Sequence, residues 1–178
     1  MKKTICVLLA ILMFVNLCAF STIDYNKAMN AYEIGEYEEA AELFSALGNY
    51  EDSPKMYMYC KAIAMGDNGR YEDAAKAMKS FSEIYKESDF YYKYFTAMAI
   101  QNGEEDPVKL SEAAELFENI FLFRNSADMA ELCEAKSVLY SFVDANGNIS
   151  LESAEGAYQW QRQDRIQRLR GRGNRYRP

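Results

Sequence analysis

Histidine is absent from this 178-residue chain, which removes Ser-His triads, His general bases and His-ligated metals together. Proline occurs three times and glycine nine times, too seldom for a collagen-like chain or a turn-rich sandwich. No phosphate-cradling glycine loop, Cys-x-x-Cys pair or nucleophile elbow is present. The chain is 49% hydrophobic and 26% charged. It can therefore bury a core, and wholesale disorder is excluded. Its length fits one domain with small appendages.

Charge divides the chain into three. Residues 1–21 carry only Lys2 and Lys3. Residues 22–160 carry 26 acidic and 11 basic side chains, a net −15. Residues 161–178 carry seven Arg against Asp164, a net +6. A body this acidic repels nucleic acid and anionic lipid, so any polyanion contact falls to the tail.

Met1-Lys2-Lys3 is followed by an unbroken apolar run from Ile5 to Val15, then by Ala19-Phe20-Ser21. That is the layout of a secretory signal peptide cleaved after Ser21. The run is short for a membrane span, which needs about 20 apolar residues. An uncleaved membrane anchor is the alternative. Cys18 follows Asn16-Leu17 rather than a small residue, which argues against lipidation.

The remaining body is periodic. GEYEEAAELFSALG at 35–48 and GRYEDAAKAMKSF at 69–81 place Gly35 and Gly69, Tyr37 and Tyr71, Ala40 and Ala74, and Phe44 and Met78 each 34 residues apart. A third copy, LSEAAELFENI, lies at 110–120, and a weaker fourth, LESAEGAY, at 151–158. Ala113 and Ala154 continue the alanine slot. Between copies an aromatic, two polar residues and Ser recur, as Tyr50 to Ser53, Tyr85 to Ser88 and Phe123 to Ser126. Ser is a preferred N-cap, and Pro54 suits the first helical turn. Each Ser is therefore expected to open a helix. The pattern predicts A helices near 24–34, 53–66, 88–102 and 126–141, and B helices near 37–48, 71–85, 108–122 and 149–165. Phe44, Leu47, Phe81, Leu116, Phe117 and Ile120 are the expected core.

The 34-residue period and the Gly-x-Tyr-x-x-Ala-x-x-x-Phe order resemble the tetratricopeptide repeat (TPR) family, and ALGNYEDS at 46–53 resembles a segment common in exported bacterial TPR-like proteins. The resemblance covers roughly residues 24–160. The family's Pro at the repeat end is missing except for Pro54, displaced, and Pro107. Short helical hairpins also occur in generic helical bundles. The resemblance implies an all-α fold: a right-handed superhelical stack of antiparallel helix pairs, an α-solenoid of about 3–4 repeats. Its domains would be a signal peptide at 1–21, the repeat domain at 22–160 and an Arg-rich, disordered tail at 161–178.

The family is a protein- or peptide-binding scaffold whose A helices line a concave groove. Carrying over its groove positions gives Tyr25, Met29, Tyr32, Met56, Tyr59, Ile63, Tyr91, Tyr94 and Met98. Tyr25, Tyr59 and Tyr94 occupy one slot per repeat. Tyr and Met suit adaptable binding surfaces, and Tyr is equally at home half-buried in a core. The Lys and Asn of the family's chaperone-tail clamp are absent. The implied function is a non-catalytic, secreted or envelope scaffold holding a protein or peptide of unknown identity, without cofactor, metal or small-molecule substrate, as a monomer. The alternative is a surface protein anchored to an anionic polymer by Arg162, Arg165, Arg168, Arg170, Arg172, Arg175 and Arg177. The same arginines could fold back on the acidic body. A helical hydrolase or transferase using carboxylates has no site motif to support it. Glu38-Glu39 and Glu104-Glu105-Asp106 read as solvated surface. Asp144-x-Asn146-x-Asn148 with Glu155 echoes a calcium loop, but Ile149 stands where the sharp turn needs Gly. Asn146-Gly147 also fits a hairpin turn.

Cys60 and Cys133 remain after the signal. An even count in an exported chain favours a disulfide. Their register opposes it: both follow their Ser by seven residues, in the second and fourth A helices. Neighbouring helices lie about 8–10 Å apart, and a bridge needs Cα atoms within about 7 Å. Two free, partly buried thiols are expected.

Overall fold

A computed structural model describes residues 22–82, 85, 87–103, 105–143 and 147–173, with the backbone alone at 151–152 and 168–173. The expected signal peptide lies outside these residues, as do Asp144 and Asn146 of the calcium-like loop. Among the described residues the protein is helical, apart from a single antiparallel bridge between Val143 and Ile149 beside Gly147. None of these helices is long and apolar enough to cross a membrane.

The chain divides into two units, 1–83 and 84–178. The first holds α1 (residues 22–33), α2 (Tyr37–Ala46), α3 (Ser53–Asp67) and α4 (Tyr71–Lys79). The second holds α5 (Ser88–Gly103), α6 (Pro107–Glu118), α7 (Ser126–Ser141) and α8 (Leu151–Gly173). Within each unit, consecutive helices pack on one another. The A helices stand where the periodicity puts them. The B helices α2, α4 and α6 stop 2–6 residues earlier than expected, because the chain turns sooner. In α4, the Ser80 hydroxyl donates to the Ala77 carbonyl at 2.6 Å and the Ser82 hydroxyl to the Lys79 carbonyl at 3.1 Å, so side chains occupy carbonyls that a longer helix would use. The tail does the opposite. It continues α8 as far as Gly173, and residues 174–178 lie outside the described residues.

The sequence period is a geometric period in two turns. After α1, the Gly35 N–H donates to the Tyr32 carbonyl and the Glu36 N–H to the Ala31 carbonyl. After α3, Gly69 and Arg70 make the same pair of bonds to Gly66 and Met65. This double closure needs a left-handed residue, and Gly35 and Gly69 stand at φ +85° and +81°. A Cβ at either would meet nothing within 4 Å, so backbone conformation, not space, selects glycine.

The second turn leads into the next A helix. The N–H groups of Ser53, Ser88 and Ser126 donate to the carbonyls of Tyr50, Tyr85 and Phe123 at 3.0, 3.1 and 3.1 Å. Glu51 and Arg124, one residue after the aromatic, both take a positive φ, 48° and 51°. That conformation is costly for a non-glycine, so its recurrence marks one turn used twice. The serines are not N-caps as expected. Each is the first helical residue, and each hydroxyl is buried without a hydrogen-bond partner. The backbone already supplies the turn's closure, and the site rewards a small side chain. A true side-chain cap occurs at Asp106, which accepts from the Val108 N–H at 2.8 Å ahead of Pro107.

The alanine slot is core throughout, with Ala40, Ala74, Ala113 and Ala154 all buried. Phe44, Phe81, Phe117 and Ile120 are buried as expected, whereas Leu47 and Leu116 are half-buried. Each full aromatic or aliphatic burial stabilises by about 1.5–3 kcal/mol before entropy is counted.

Candidate functional site

The expected groove residues separate into two groups. Tyr25, Met29 and Tyr32 of α1 and Met98 of α5 are half-buried. Met56, Tyr59 and Ile63 of α3 and Tyr91 and Tyr94 of α5 are buried, with Tyr59 only 1% exposed. These five offer a partner no surface in this structure. The tyrosine slot instead closes one repeat on the next. The Tyr25 hydroxyl donates to Asp52 at 2.5 Å and that of Tyr94 to Asn125 at 2.7 Å, in each case the residue just before the buried Ser. The rings follow suit. Tyr25 meets Phe44 and Tyr50 edge-on, each at 5.8 Å, and Tyr94 meets Phe117 and Phe123 at 5.7 and 5.8 Å. Tyr59 packs on Phe81 at 5.5 Å and on Tyr32 at 6.3 Å.

An open concavity of the first unit lies on the other side of α3. A groove of about 610 Å³ runs between α2 and α3. Ala41, Ser45 and Ala46 of α2 face Tyr57, Lys61, Ala64 and Met65 of α3 across it. Short side chains hold it open. Glu38 and Glu42, one helical turn apart, edge it from α2, and Lys61 and Arg70 from the α3 side. The Lys61 ammonium donates to the Tyr57 hydroxyl at 3.0 Å and lies 5.2 Å from that ring's centre. Arg70 grips Asp73 at 2.7 Å and holds its carboxyl below the usual carboxylate range. The positions 57, 61, 64, 65 and 68 form one helical stripe, legible as spacing. The carried-over groove positions miss them because they select the opposite face of α3.

Of the expected anion-binding arginines, two turn inward. Arg165 pairs with Glu134 at 3.3 Å and Glu131 at 3.8 Å, and Arg162 with Glu131 at 3.3 Å. The Tyr158 hydroxyl also donates to Glu131, at 2.9 Å. Burial, then the Glu131 carboxylate, pushes the Tyr158 phenol up. Arg168, Arg170 and Arg172 lie on the α8 backbone, and Arg175 and Arg177 fall outside the described residues.

Cys60 and Cys133 are free thiols, each fully buried in its own unit. Burial pushes them up to about 12 and about 11, so neither is a thiolate nucleophile at neutral pH. Among the described residues no cluster of three or more Cys, Asp or Glu side chains could hold a metal ion. Comparisons with protein-family models, with curated proteins and with solved structures find no match to this chain.

Proposed function

We propose that this protein is an exported, non-catalytic TPR-like scaffold, its helix pairs stacked as a right-handed α-solenoid, that binds a protein or peptide segment. The observation that carries this reading is the pair of recurrent turns: the same hydrogen bonds close α1 and α3, and the same bond leads into α3, α5 and α7. Repeated helix pairs of this kind leave extended grooves between elements, which suit segments of another chain better than a small substrate. The groove between α2 and α3 is the binding surface of the first unit. Its lining keeps the residue types to which the sequence pointed, with Tyr57 and Met65 in place of Tyr59 and Met56. Anchoring to an anionic polymer has less support, since Arg162 and Arg165 are engaged with Glu131 and Glu134.

Ala64→Trp tests the reading by filling the groove from its floor. A peptide array probed with the wild-type protein should yield binders that the variant no longer holds, at unchanged helical content. Binders that ignore Ala64→Trp would remove the groove from the account.

A further inference from the structure

The helix pair that forms the groove occurs twice. A shift of 73 residues carries Ala40 and Phe44 of α2 onto Ala113 and Phe117 of α6, and Ser53 and Cys60 of α3 onto Ser126 and Cys133 of α7. Each groove residue of the first unit therefore has a counterpart in the second, and the counterparts are closed over. Tyr57, Ala64 and Met65 are half-buried, and Ser45 and Lys61 are exposed. In the same places, Ala130, Ser137, Val138 and Glu118 are buried, and the Glu134 side chain is 12% exposed.

Two devices close the second unit. Between α6 and α7, the Ser137 hydroxyl donates to the Pro107 carbonyl at 2.7 Å and lies 2.9 Å from that of Ser111. Ala64 and Glu38 hold those two positions in the first unit, and Ala64 has no hydroxyl with which to bridge. Beside α7, α8 sends Arg162 to Glu131 and Arg165 to Glu134, the counterpart of Lys61. The alanine slot matches Ala154 of α8 with Ala74 of α4. On that match α4 ends at Lys79, level with Gln159 and short of both arginines. The second unit covers this side of its A helix with a helical extension of its own chain, and α4 brings none to the first.

The charges around the groove define what complements it. Glu38 and Glu42 stand one turn apart on α2, with no ion-pair partner among the described residues. Like charges at that spacing destabilise a helix, and the repeat does not require them: α4 has Glu72 and Lys76 in the same places. Across the groove, Lys61 is held by the neutral Tyr57 and has no carboxylate partner among the described residues. Arg70 is already committed to Asp73 and adds nothing. We infer that the occupant of the groove is a helix of another polypeptide, with Lys or Arg along the edge that meets Glu38 and Glu42, and Asp or Glu along the edge that meets Lys61. Small or apolar side chains form the ridge between these edges, since Ala41, Ser45, Ala46 and Ala64 let a helix approach closely. This rests on the reading that the groove is the binding surface, and adds the shape and charge of what binds there.

The probes are four labelled peptides of about five helical turns, titrated into the full chain by fluorescence anisotropy at about 0.15 M salt, where distant charges are screened. All have an Ala/Leu ridge. One has Lys on one edge and Glu on the other, one has Lys on both, one has Glu on both, and one is the mixed peptide with a central Pro. Wild type should bind the mixed peptide about fivefold or more tightly than the other three. Lys61→Glu, which installs the residue type of α7, should turn the preference to the Lys-edged peptide. Glu42→Lys, which installs that of α4, should weaken the mixed peptide. Both positions are exposed, so both variants should melt with the wild type, and if one melts early the other carries the comparison. Binding that Ala64→Trp abolishes but that ignores edge charge and both charge variants overturns this inference and leaves the groove standing. Binding that Ala64→Trp leaves intact removes the groove, and this inference with it. Equal affinity for the Pro peptide, or no binding of any of the four, also overturns it. So does concentration-dependent self-association that Ala64→Trp abolishes, which would make a second copy the occupant.

Discussion

Ser53, Ser88 and Ser126 show how one residue type can be placed correctly and explained wrongly. Their spacing fixes where helices begin, because any element repeated at the period must fall there. Their chemistry misleads, since a serine before a helix reads as a cap and here stands inside the helix with its hydroxyl buried and unpartnered. A buried hydroxyl without a partner stabilises nothing through hydrogen bonding and costs desolvation. Ser53→Ala and Ser126→Ala should therefore leave stability unchanged or raise it by about 0.5–1 kcal/mol. Chemical denaturation decides, and a loss above about 1 kcal/mol would mean that the hydroxyl has a partner. The thiols give a second check at this scale. Cys60 and Cys133 are held protonated by burial, pushed up to about 12 and about 11 from the ordinary thiol value of 9.0. The folded state thus keeps protons that the unfolded state releases first. Their contribution to stability should be intact below pH 9 and fall as the pH rises from there towards 11–12. Cys60→Ala with Cys133→Ala should flatten that fall, whatever it does to stability at neutral pH. An unchanged alkaline slope would contradict the burial.

At the scale of elements, helix existence was legible and helix faces were not. Alanine and aromatic spacing located every described helix, because the slots of one repeat constrain the others. The face of α3 could not be read, since SPKMYMYCKAIAMGD is apolar on most sides. The carried-over positions chose the side that packs on Tyr32 and Phe81, and the open groove lies on the other. The end of α8 was equally illegible: an Arg-rich sequence reads as solvated until Glu131 and Glu134 on α7 are known to face it. That contact is the element's clearest dependency. Arg165 and Glu134 side chains are only 11% and 12% exposed, whereas Arg162 is 50% exposed. Removing one partner of a nearly buried pair leaves a desolvated charge. Arg165→Ala should cost about 1–3 kcal/mol, with α8 backbone amides losing protection in hydrogen exchange before those of α6. Arg162→Ala should cost less than about 1 kcal/mol. Equal effects would mean that α8 is not docked through Arg165.

For the whole molecule, the account rests on repetition: two units of consecutively packed helices, a glycine-closed turn used twice in the first, and a second turn that recurs before α3, α5 and α7. Repetition also separates fold from function. Where repeats agree, as at Ala40 and Ala74 or at Tyr25 and Tyr94, the residues hold the architecture. Identity of the two interrepeat turns is therefore the central claim, and a turn exchange tests it directly. Residues 119–125, NIFLFRN, are replaced by residues 46–52, ALGNYED, and the melting temperature and far-UV spectrum are measured. The incoming Asp keeps an acceptor for the Tyr94 hydroxyl, and the incoming Tyr keeps a ring for Tyr91 and Tyr94 to meet. The account predicts a protein as helical as the parent, melting within about 5 °C of it, an allowance of roughly 1 kcal/mol for the lost Arg124 contacts. A chimera that loses its cooperative melt or its helical spectrum would show that the turns are not one structural unit, and the repeat architecture would fall with it.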